Sequence, residues 1–200
     1  MLQPSRKRSK TRKVARPDAR WFTPAVLGLS LVTAIGSAGL AASLTWPAIP
    51  SPFGLAAHHE KRANLALDTN KSTPLTLERA GLENELTLAA APATATAWLR
   101  AAYIRQQQQS GVLDAESLRY IETSYRVSPL GPGASPWRVL FVFENWNLVT
   151  PAIRAAAMTE VRSFAAHDNN AHALVNTITN PAGRMAARLA IRTPPKAPAP

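Results

Sequence analysis

Residues 22–44 run for 23 positions without a charge, directly after a stretch, MLQPSRKRSKTRKVARPDAR, that carries eight Lys/Arg against one Asp. An uncharged run of that length restricts the possible folds more than any other feature of the chain. About 20 apolar residues in a helix cross a bilayer core of about 30 Å, so the run predicts a transmembrane helix over residues 21–46. Thr23, Ser30, Thr33, Ser37 and Ser43 interrupt it, but a hydroxyl in a spanning helix can bond back to a carbonyl one turn earlier. Trp21 and Trp46 bracket the run where indoles sit at headgroup level, and Arg16 and Arg20 stand just before it. A cleavable signal has a shorter apolar core of about 7–15 residues, so the segment reads as an uncleaved anchor.

The bias of basic residues toward the N-terminal side predicts a single pass through the inner (plasma) membrane. The N-terminus is then cytoplasmic and the bulk of the chain periplasmic or otherwise extracytoplasmic. Ala34, Ala38 and Ala42, with Gly39 beside them, form a small-residue face that predicts close packing against another helix, including a second copy of this one. The tail holds most of the net charge of +11. Topology and anionic headgroups account for such a tail. It has no aromatic residue before Trp21 on which a base would stack, so no nucleic-acid partner is expected.

The chain has no cysteine, which excludes disulfides, thiolate ligands and a cysteine nucleophile. The resulting organisation is a basic tail at 1–20, the membrane helix at 21–46, a Pro-rich spacer at 47–55, a helical domain at 56–192 and a disordered tail at 193–200. Within the helical domain, helices are predicted from residue 56, from Thr73-Pro74, over 94–109, from Asp114, from Ser135-Pro136, from Thr150-Pro151 and from Asn180-Pro181, with a short one within 168–179. Proline at the first helical position needs no N–H, and Ser, Thr, Asp or Asn before it caps the exposed amides. Leu75, Leu82, Leu86 and Leu88 are read as the apolar side of the second of these helices. Ile153, Ala157, Val161 and Phe164 are read as inward in the sixth. In the last helix, Met185 and Leu189 stand on one side and Arg184, Arg188 and Arg192 on another. Residues 138–143 can be read as helix or as a buried strand; the Ser-Pro start favours helix.

Between Pro92 and Pro129 lie two helices, a turn at Ser110-Gly111 and a proline stop, in a period of 37 residues. Trp98 opens the first helix, Ala102 is a small residue one turn on, and Ser117, Ile121 and Ser124 make a small–large–small seam in the second. Trp137 and Leu140 restart a W-x-x-L pattern after Pro129. This pattern resembles a degenerate tetratricopeptide repeat. It departs from the family at Ala101, at Arg105 and in about three extra residues around 106–112. The resemblance covers roughly residues 74–166 and implies an all-α fold of stacked helical hairpins on the anchor, with Trp98, Ala102, Ile121, Ser124, Pro129, Trp137 and Leu140 as its repeat core.

Candidate chemistry is sparse. His58-His59-Glu60 lacks metal-ligand spacing on a helix, since neighbours point about 100° apart. Asp168 and His172 are one turn apart and would serve a small envelope enzyme or a metal site, but no third ligand stands near them. No nucleophile elbow, phosphate loop or dinucleotide fingerprint occurs. No catalytic residue, metal or cofactor is therefore expected, and an enzyme is not. Arg184, Arg188 and Arg192 form a candidate stripe for an acidic partner. The reading that follows is a membrane-anchored scaffold or adaptor whose helical domain binds another protein of a bacterial envelope assembly serving export, polysaccharide or secretion.

Overall fold

The computed structural model describes residues 19–46, 54–68, 73–131, 133–167 and 170–192. The chain divides into two compact units, Met1–Ala42 and Ser43–Pro200. Among the described residues the secondary structure is entirely helical: α1 (Ala19–Thr45), α2 (Ala56–Leu67), α3 (Pro74–Ala90), α4 (Ala95–Gln108), α5 (Ala115–Val127), α6 (Ser135–Glu144), α7 (Pro151–His167), α8 (Ala171–Thr177) and α9 (Pro181–Arg192).

The spanning-helix expectation does not hold. Among the described residues, no helix is long and apolar enough to cross a membrane. With it fall the single-pass placement in the inner membrane, the cytoplasmic N-terminus and the periplasmic bulk. α1 is 27 residues long, and Thr33, Gly36, Ser37 and Gly39 interrupt the apolar residues of its described middle. The Thr33 hydroxyl donates to the Ser30 carbonyl at 2.9 Å and the Ser37 hydroxyl to the Thr33 carbonyl at 2.7 Å, as expected of hydroxyls in a helix. Ala34, Ala38 and Gly39 are exposed, Ala42 is half-buried and Trp46 is exposed. Arg16, the rest of the basic tail, the side chains of Arg20 and Trp21, positions 47–53 of the spacer and the tail at 193–200 lie outside the described residues.

The second unit is a succession of paired helices. α2 packs on α3, α4 on α5 and α3 on α4; α6 packs on α7, and α8 and α9 close against both. Local chemistry sets the starts. Thr73 makes a capping box with Thr76 ahead of Pro74. The Asp114 carboxylate accepts from the Ser117 amide at 2.8 Å, the Thr150 hydroxyl from the Ile153 amide at 3.2 Å, and the Asn180 side chain from the Gly183 amide at 3.0 Å. Residues 138–143 are helical, within α6. The apolar core centres on Leu99, Ile121, Val142, Phe143, Ile153 and Val161, each at most 1% exposed. Ala157 joins it, while Phe164 is half-buried.

One helix is turned the other way from its sequence reading. α3 buries Leu77, Ala80, Glu83, Asn84 and Thr87, and it leaves Leu75, Leu82 and Leu86 exposed, with Leu88 half-buried. The cause is a buried cation. Arg100 on α4 is 1% exposed. Its guanidinium donates to Asn64 of α2 at 3.0 Å, to Asn84 of α3 at 2.9 Å and to Glu60 of α2 at 3.1 Å. Glu83 in turn takes His59 at 2.7 Å and Arg62 at 2.8 Å. Burying a charge without such partners costs several kcal/mol, more than half-exposing three leucines. The polar side of α3 therefore faces inward.

Candidate functional site

Rotating α3 inward also places Gly81 and Asn84 opposite α4 and α5, and between the three helices runs a groove of about 940 Å³. Trp98 of α4 and Tyr120 of α5 wall it, their rings 5.8 Å apart. Each is held by its polar end. The Trp98 indole N–H donates to the Pro92 carbonyl at 2.7 Å, and the Tyr120 hydroxyl donates to Glu116 at 2.7 Å. Burial, and then the Glu116 carboxylate, push the Tyr120 phenol above its usual range, so it stays a neutral donor. Ala101 and Ile104 line the groove between them. A Cβ at Gly81 would lie in ordinary contact with Ile104, at 4.0 Å.

Arginines stand along the rim, and they differ. Arg105 is engaged by Asp114 at 2.6 Å and by Glu116 at 2.7 Å. Arg119 reaches Glu116 at 3.1 Å, and Arg126 donates to the Thr123 hydroxyl at 3.2 Å. The Arg105 bond, followed by the Ser117 amide, holds the Asp114 carboxyl below the ordinary carboxylate range. Asp114, the cap of α5, holds Arg105 on this rim. The groove is amphipathic: Leu88, Trp98, Ala101 and Ile104 line it together with Asn84, Arg105, Gln108, Arg119, Glu122 and Arg126.

The residues singled out in the sequence fall in three places. Trp98 lines the groove. Ala102 and Ile121 are fully buried, and Ser124 is buried with its hydroxyl donating to the Ala95 carbonyl at 2.9 Å. Pro129 is exposed, and its carbonyl accepts from Arg138 at 3.2 Å. Trp137 and Leu140 are half-buried against the core, Trp137 beside Tyr103 at 6.3 Å. Arg184, Arg188 and Arg192 lie elsewhere, on α9. Arg184 is half-buried near Glu144, Arg188 donates to Asn176 at 2.8 Å, and Arg192 is exposed. With His172 of α8, Arg188 and Arg192 border a cavity of about 240 Å³. Asp168 lies outside the described residues, so its pairing with His172 does too. Among the described residues no three His, Asp or Glu gather where a metal would bind.

Comparison with known proteins brings no relative: no family model, curated protein or solved structure matches the chain. Sequence reasoning missed Tyr120, Arg119 and Arg126 as groove residues, and Arg100, Arg138 and Glu160 as buried ones. One signal was available: Arg138 stands alone inside the apolar string WRVLFVF, where a solvated arginine has no place.

Proposed function

We propose that the chain is an adaptor that binds an extended or helical segment of a partner protein in the groove between α3, α4 and α5. The observation that carries this reading is the groove itself, with Trp98 and Tyr120 as a rigid, hydrogen-bonded aromatic wall. Aromatic side chains whose polar tips are already engaged lose little entropy on binding and supply most of the energy of a peptide contact. The succession α2/α3, α4/α5 and α6/α7 supports describing the domain as tetratricopeptide-like, and repeat folds of that kind offer grooves along successive hairpins.

The test is site-specific photocrosslinking in the native host. A photoreactive residue at Gln108 or Glu122, both on the groove, is expected to give a discrete protein adduct that mass spectrometry identifies. Tyr120→Ala is expected to abolish it, and the same probe at the exposed Thr159 of α7, outside the groove, to give none. Equal adducts from Thr159 and Gln108, or no adduct from either groove position, would overturn the reading.

A further inference from the structure

Two exposed faces of the second unit complement each other, and one copy does not bring them together. On α3, Leu75, Leu82 and Leu86 form a row exposed at 74%, 58% and 48%. At 100° per residue, the exposed Glu78 and Glu85 stand along one flank of that row and Arg79 along the other. Neither Glu78 nor Glu85 is in an ion pair among the described residues. On α9 the inward side is Gly183, Ala187 and Ala190. The outward side carries Met185 and Leu189, exposed at 66% and 55%, with Arg188 and Arg192 along one flank. α9 contains no Asp or Glu at all.

We infer that the α3 face of one copy docks on the α9 face of another, leucines on Met185 and Leu189, with Glu78 and Glu85 opposite Arg188 and Arg192. Charge chooses this pairing over the antiparallel symmetric ones. Two antiparallel α3 helices packed about a two-fold at Leu82 set Glu78 of each against Glu85 of the other, and two antiparallel α9 helices set arginine against arginine; a parallel α3 pair offers only the single Arg79 to two glutamates. The unlike pairing relieves both repulsions and covers both apolar rows. Residues 193–200, which follow α9, carry Lys196 and no Asp or Glu, so they do not complement its arginines. A contact between two different faces is heterologous, and it adds copies head to tail rather than stopping at two. Helices of 12 and 17 residues give a contact smaller than a standard interface. The expected dissociation constant is accordingly weak, about 100 µM.

The experiment is analytical ultracentrifugation of the full chain over a concentration series. Wild type is expected to shift progressively to species larger than a dimer. Leu82→Asp removes one face and Met185→Asp the other; both positions are exposed, and circular dichroism checks that each variant is folded. Each variant alone is expected to remain monomeric, because it keeps only one competent face. An equimolar mixture is expected to form a dimer and nothing larger, because the intact α9 face of the first variant meets the intact α3 face of the second. Reversing Glu78 and Glu85 to Lys weakens wild-type association about tenfold, and adding Arg188→Glu and Arg192→Glu restores it. A wild type that stays monomeric throughout, either variant associating alone, or a mixture that stays monomeric while wild type assembles would each overturn the inference.

Discussion

Arg138 of α6 and Glu160 of α7 face each other in the core with 0% and 1% of their side chains exposed. The pair is fully served. Arg138 also donates to the carbonyls of Ser124 at 2.9 Å and Ser128 at 2.9 Å, and its guanidinium lies 4.2 Å from the centroid of the Tyr125 ring. Glu160 accepts from Tyr125 at 3.0 Å and from Ser135 at 2.7 Å. Burial, then the Glu160 charge, raise the Tyr125 phenol far above its usual range, so it donates at any ordinary pH. The pair thus locks α5, α6 and α7 together through one ion pair. Arg138→Met leaves Glu160 without its cation in the core, and urea unfolding should show a loss of about 3–5 kcal/mol. Arg138→Met with Glu160→Leu removes both charges and should recover most of that loss. A double variant as unstable as the single would mean that packing, not charge pairing, makes Arg138 matter.

Gly183 is where α9 meets α6. A Cβ placed on it would lie within 2.8 Å of the Phe143 carbonyl carbon, and backbone cannot swing aside as a side chain does. The contact is anchored by Glu144, which accepts from the Thr179 amide at 2.6 Å and the Asn180 amide at 3.0 Å. Partial burial alone would raise the Glu144 carboxyl, but the Thr179 amide and hydroxyl, the Asn180 amide and the Arg184 charge together hold it below the ordinary range. Gly183→Ala is expected to cost about 3 kcal/mol, because α9 must lift off α6 and open the core around Ala187 and Ala190. Gly133, on an open turn with nothing within 4 Å, is the control: Gly133→Ala should leave the midpoint in place.

The contrast between α5 and α3 marks what the sequence could say about this fold. Helix starts such as Asp114 and Thr73-Pro74 were legible because a cap acts over three residues, all within one short window. The inward face of α3 was not, because Glu60, Asn64 and Arg100 decide it, on two other helices. A leucine count cannot see that demand. The uncharged run made α1 legible as a long helix, while its reading as a membrane span does not hold among the described residues. Trp98 was found as a special residue for the wrong reason. It was assigned to the core on its repeat-like spacing, and the bond to Pro92 that holds it at a groove wall is again made outside the spacing pattern.

The turn after α4 carries a residue that is not ideal for it. Ser110 has φ 55°, the left-handed region that L side chains rarely adopt. It is held there because its amide bonds the Gln107 carbonyl at 3.3 Å and the Gly111 amide bonds the Gln106 carbonyl at 2.8 Å, which closes the helix end. Ser110→Gly keeps both bonds without the Cβ conflict and should raise stability by about 1 kcal/mol in urea unfolding. Gly111→Ala, at φ 90°, should lower it. A destabilised Ser110→Gly would show that the unfolded chain's gain in freedom exceeds the strain relieved.

Asp114 gives the protein a signature in acid. Its carboxyl is held below the ordinary range by Arg105 first and by the Ser117 amide next. A folded value below the unfolded one means that the carboxylate's contribution is complete above the unfolded pKa of about 3.9, and disappears as pH falls toward the folded value. Asp114→Asn keeps an oxygen for the cap but loses the charge opposite Arg105. Its melting temperature should lie below wild type by a constant margin at pH 5–7, and the margin should close progressively below about pH 4. Arg105 forms the other half of the groove's rim, so the same variant should also loosen Glu116 and, through it, the hydroxyl of Tyr120. Partner crosslinking at Gln108 should then weaken at neutral pH, where the fold of Asp114→Asn is intact, and a variant that is less stable yet crosslinks as wild type would separate the cap from the groove.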